Sequence, residues 1–113
     1  MKNSIKSRFD PVTAQNAHKN TILASEVLPA GMKAPFEHAW GYLDHPGEME
    51  YHRHPKEEVY FFFQGSGFVF IDGQEISVTF GDVVRVPYNA LHSVINRSGE
   101  VLLWAALWWK NEE

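Results

Sequence analysis

From Thr21 onward the chain is cut into short apolar runs, and none keeps a helical stripe for more than two turns. The runs cover residues 22–28, 36–43, 48–54, 58–64, 68–72, 75–80, 82–87, 91–96 and 101–109. Each is strand-length and rich in Val, Ile, Phe, Tyr or Trp, with Gly, Pro, Asp and Asn between them. Asp72-Gly73 separates two runs and predicts a two-residue hairpin turn, whose central positions both require positive φ. Strands recurring about every ten residues make a sandwich or barrel, so the fold class is all-β. Residues 1–20 are polar and aperiodic, an N-terminal arm with a short helical turn expected over 12–19. Residues 21–113 form a single barrel domain on this reading.

With 113 residues there is room for one domain and one core. The absence of cysteine excludes disulfides, zinc fingers, iron–sulfur clusters and thiol catalysis. Ten basic against fourteen acidic residues give a net charge of −4, which argues against nucleic-acid or anionic-membrane partners. The longest apolar run, 101–109, is too short to span a bilayer as a helix. The first ten residues contain no apolar stretch of the signal-peptide kind, so a cytoplasmic location is expected.

Three of the six histidines fall in strand-like runs. His52 and His54 are two apart, so on a strand they project from one face. Glu58 opens the next strand just after them, and His92 opens a strand much later in the chain. Three imidazoles and a carboxylate form an N₃O set suited to a divalent first-row metal such as Mn, Fe, Co, Ni or Zn. Four protein ligands leave one or two positions open if the ion takes five or six, as a catalytic site needs.

The residues Gly47-x₄-His52-x-His54-x₃-Glu58-x₆-Gly65 and Gly81-x₅-Pro87-x-Asn89-x₂-His92-x₃-Asn96 resemble the two signature motifs of the cupin superfamily. They span roughly half the chain. Two departures stand out: four residues instead of five between Gly47 and His52, and Asn89 where the second motif usually has Gly. Asn takes positive φ most readily among non-glycine residues, so the turn is expected to form. The resemblance implies a double-stranded β-helix, or jelly-roll barrel, with His52, His54, Glu58 and His92 binding one metal inside it. The fifteen residues between the motifs resemble those of compact single-barrel members.

Other positions carry open alternatives. Glu50 shares strand parity with His52 and His54, which points it inward as a proton-transfer group or leaves it solvated at the barrel mouth. Tyr60 faces inward by parity with Glu58, to hydrogen-bond a ligand or to complete the core. Glu57 reads as a solvated carboxylate and Arg53 as an outer-face residue. The pattern around Arg85 chooses no face. His18, His38 and His45 match no motif position and read as surface or loop residues. The runs 61–63 and 101–109 are apolar on both faces, which calls for a second cover, and a second copy of the chain supplies one.

Two function classes follow. One is a metal-dependent enzyme (oxygenase, isomerase or lyase) acting on a small polar or aromatic molecule. The other is a non-catalytic small-molecule or metal-binding and sensing module. No cluster of Lys and Arg marks a phosphate pocket.

Overall fold

The structure is a computed structural model that describes residues 3–110. Its strands are β1 (Gln15–Ala17), β2 (Ile22–Ser25), β3 (Glu37–Leu43), β4 (Gly47–Glu48), β5 (Glu57–Gln64), β6 (Ser66–Ile71), β7 (Gln74–Thr79), β8 (Val83–Val86), β9 (His92–Asn96) and β10 (Leu102–Trp109). They form two antiparallel sheets, ordered β1-β2-β3-β10-β5-β8 and β4-β9-β6-β7. One apolar cluster joins them: Tyr60, Phe62 and Trp104 from the larger sheet meet Val69, Val78 and Val94 from the smaller. The architecture is of the all-β class expected from the runs, and is the jelly-roll barrel that the resemblance implies.

Strand alternation sets which residues face the core. In β5, Glu58, Tyr60 and Phe62 are buried, while Phe63 stands 46% exposed on the outer face. In β8, Val84 and Val86 point in and Arg85 points out, which settles its face. Arg85 lies opposite Val59 and its Nε is 3.6 Å from Glu57 Oε1, so Glu57 belongs to the outer face as well.

The turns follow the residue chemistry. Asp72 (φ 44°) and Gly73 (φ 92°) join β6 to β7 as the expected two-residue hairpin. Asn89 has φ 61°, the left-handed conformation expected where Asn replaces Gly. Gly65 (φ 83°) leaves no choice, because a Cβ there would collide with the carbonyl oxygen of Val101.

Two expectations are corrected. The run 48–54 is a regular strand only at Gly47–Glu48, after which a single bridge pairs His52 with His92. The Met49 amide still donates to the Val94 carbonyl (2.9 Å), and beyond it side chains take over the ladder as far as His52. Ser93 Oγ donates to the Met49 carbonyl (2.7 Å), and the Glu50 amide donates to Thr21 Oγ1 (2.9 Å). The helical turn expected over 12–19 is instead a tight turn at 10–14, where the Ala14 amide donates to the Asp10 carbonyl and the Asp10 carboxylate accepts from Val12 N–H. Residues 15–17 then pair with β2.

The arm lies against the larger sheet. Ser4 N–H donates to the Ala30 carbonyl, and the Phe9 ring sits 4.9 Å from Tyr42 and 6.1 Å from Trp40. After β1 come three consecutive left-handed residues, His18, Lys19 and Asn20 (φ 52°, 57° and 64°). None is glycine, and the left-handed conformation costs an ordinary side chain about 1–2 kcal/mol, less for Asn20. Thr21 closes this turn through its amide and hydroxyl, both donating to the His18 carbonyl.

Candidate metal centre

The two motifs meet where the start of β9 faces the segment before β5. His92 is completely buried, and its N–H and C=O exchange hydrogen bonds with those of His52 (2.9 and 3.1 Å). The His54 carbonyl accepts from the Asn89 amide at 3.0 Å, so the left-handed turn of the second motif anchors the histidine of the first. The ligand nitrogens of His52, His54 and His92 lie within 4.8 Å of one another. Glu58, 6% exposed, reaches this cluster from β5: its Oε1 is 3.1 Å from His54 Nε2 and 3.1 Å from His92 Nε2. The structure thus clusters the three histidines and sets the Glu58 carboxylate beside two of them, His54 and His92.

Backbone carbonyls orient two of the rings. His52 Nδ1–H donates to the Glu50 carbonyl (3.0 Å), and His92 Nδ1–H donates to the Ala90 carbonyl (2.8 Å). In the neutral tautomer each Nε2 is then left with a lone pair. His92 Nε2 is buried, makes no hydrogen bond, and yet sits beside a carboxylate oxygen. A lone pair facing a carboxylate is repulsive unless a cation or a proton lies between them. Burial lowers the pKa of His52, reinforced by His92 and His18, against the opposing pull of the Glu50 carbonyl and the Glu58 charge. This keeps the ring in the form that coordinates metal. The donor chemistry fits a divalent ion.

A cavity of about 180 Å³ opens beside the cluster. Its apolar wall includes Ile22, Met49, Tyr60, Trp104 and Trp108, and Glu58 is the single carboxylate lining it among the described residues. Gly41 makes that wall what it is, because the Trp104 indole occupies the space a Cβ would take. Tyr60 is fully buried, 6.3 Å from the His92 ring between centroids. Burial, and secondarily Glu58, raises its hydroxyl pKa well above the ordinary tyrosine value. It therefore stays a neutral phenol.

Glu50 is not among the cavity-lining residues. The ladder breaks after Met49, and Met49 is the residue that turns inward, 2% exposed. The Glu50 carboxylate sits at the rim, 3.3 Å from Lys19 Nζ and 3.8 Å from His18 Nδ1. His18, read as a surface or loop residue, lines the cavity and stacks on His52 with ring centroids 4.4 Å apart. Only its company, a His-Lys-Asn run open to positive φ, signals a turn in the sequence. His38 has a structural task, accepting the Val27 amide at Nδ1 (3.0 Å).

A jelly-roll barrel carrying three histidines that could hold a metal ion defines the class of protein. The family model described as "Cupin domain" matches residues 42–109, more than half the chain, and the protein belongs to the cupin family. Among solved structures it is similar to the plu4264 protein of Photorhabdus luminescens, with 27% identity over 96% of this chain and 90% of the other and a TM-score of 0.83. A Cupin 2 conserved barrel domain protein from Salinispora arenicola is 26% identical over 96% and 91% of the two chains, with a TM-score of 0.82. A predicted oxalate decarboxylase from Thermotoga maritima shares the fold, at 20% identity over 80% and 81% and a TM-score of 0.71. A comparison with curated proteins finds no match. Among the described residues no helix is long and apolar enough to cross a membrane.

Proposed function

We propose that the protein is a metal-dependent enzyme in which His52, His54, Glu58 and His92 hold one divalent transition metal beside a small-molecule cavity. The observation that carries this reading is the buried, unpartnered Nε2 of His92 beside the Glu58 carboxylate. A bound divalent ion supplies Lewis acidity toward a ligand oxygen. The chain's own residues do the rest. Trp104, Trp108 and Met49 exclude water, and Tyr60 offers a neutral hydroxyl to the ligand. Glu50 acts from the rim by holding His18 and Lys19. No Lys or Arg lines the cavity among the described residues, so phosphorylated substrates fit poorly. The reaction belongs to the oxygenase, isomerase or lyase types, in the cytoplasm, without nucleic-acid or membrane partners. Residues 1–20 work with the barrel of 21–113 through His18. The test is elemental analysis after loading and desalting: one equivalent of metal per chain is expected, and none would refute the reading.

A second reading, a non-catalytic binding module, draws support from the scarcity of a free base. Glu50 is engaged by Lys19, Tyr60 is held neutral, and Glu58 is shared by two histidines. Turnover assays of the loaded protein on small acids and one-ring aromatics separate the two readings.

The working unit we propose is a homodimer. Phe9 covers Trp40 and Tyr42, but Phe63 and Val83 remain 46% and 59% exposed on the same outer face of the large sheet, near half-buried Phe61 and Leu107. A second copy removes that surface from water. Light scattering at micromolar concentration is expected to give twice the chain mass; a stable monomer would refute the dimer.

A further inference from the structure

We propose that His18, which lies outside both barrel motifs, touches the bound ligand and selects for a ligand with a hydrogen-bonding group besides the oxygen facing the metal centre. This rests on the reading of the cavity as a small-molecule site. Three observations carry it. First, the His18 ring lines the cavity while one face stacks on His52, so an edge of the ring is directed elsewhere than at the ligand set. Second, neither ring nitrogen makes a hydrogen bond among the described residues. The nearest carboxylate, Glu50, is 3.8 Å from Nδ1, beyond hydrogen-bond length. Third, the ring is delivered by three successive left-handed non-glycine residues, and strain of this kind collects at ligand sites when surrounding contacts enforce it. Those contacts are present. Thr21 closes the turn and takes the Glu50 amide, and Lys19 takes the Glu50 carboxylate. Glu50 in turn holds His52 through its carbonyl. One residue therefore ties the arm's turn to the metal-ligand segment and fixes His18 over the cavity.

The cavity's size defines the ligand class. About 180 Å³ compares with the roughly 150 Å³ apolar cavity that accepts benzene, so one ring fits. The ligand is a single-ring molecule with an oxygen head toward His52 and His54, aromatic contact with Trp104, and a hydroxyl or amino group within reach of His18.

The probes are benzoate and its 2-, 3- and 4-hydroxy derivatives, titrated into zinc-loaded protein and followed by the fluorescence of the wall tryptophans. Wild type is expected to bind at least one hydroxybenzoate about fivefold tighter than benzoate, the worth of one net hydrogen bond. His18→Phe keeps a ring to stack on His52 and is expected to erase the preference while leaving metal content and benzoate affinity unchanged. His18→Gln, which restores a donor and an acceptor, is expected to recover part of it. A preference that survives His18→Phe, a wild type that binds all four probes equally, or a uniform loss across them would overturn the contact. A uniform loss would leave His18 as a support for His52 only. If no probe binds wild-type protein, the small-molecule reading of the cavity fails, and the contact fails with it.

Discussion

Replacing His54 with Ala leaves a folded barrel that no longer retains metal through desalting. His54 is the histidine of the set whose loss the fold tolerates best. Its side chain is 24% exposed, whereas that of His92 is 1% exposed and its backbone bonds to His52 form the bridge between motifs. The variant removes one of three imidazoles and also the group 3.1 Å from Glu58 Oε1. Losing a group that only orients a ligand lowers metal affinity about 10- to 100-fold, and losing a ligand lowers it further. Elemental analysis alongside a circular dichroism melt checks both halves. Full metal content in the variant would remove His54 from the site, and an unfolded variant would show that its role is structural.

Much of this was legible in the sequence, and the reasons are local. The runs at 58–64 and 68–72 became β5 and β6 because alternating burial and the Asp72-Gly73 turn leave little freedom of register. The meeting of His52, His54 and His92, with Glu58 beside the last two, was legible because the two motifs carry them to the start of β9 and the segment that pairs with it. The direction of Glu50 was not. Parity holds only while the ladder holds, and Ser93 and Thr21, distant in sequence, capture the backbone groups that would have continued it. His18 was invisible for a related reason. A left-handed turn can be suspected from His-Lys-Asn, but which cavity it borders depends on β1 pairing with β2, and three residues of polar strand give no pattern to read.

The second large effect expected is the loss of metal stabilisation on acidification. Each imidazole must be deprotonated to coordinate, and an unperturbed histidine protonates near pH ~6.5. A bound cation depresses the histidine pKa values in the folded state, and burial already depresses that of His52 without it. A depressed folded-state value means that the unfolded chain binds protons first as pH falls. The stabilisation is therefore complete above about pH 6.5 and is lost as pH drops through the depressed values. Burial of His52 and His18 acts in the same direction in metal-free protein, so an absolute melting temperature cannot separate the two causes. The difference between loaded and chelator-treated protein can, since burial contributes to both melts and the metal to one. With three histidines in the set, that difference is expected to begin shrinking below about pH 6.5 and to vanish near pH ~4, more steeply than a single titration allows. Paired thermal melts between pH 8 and the acid limit of folding measure it. A difference that stays constant across that range would mean that the imidazoles of His52, His54 and His92 are not what holds the ion.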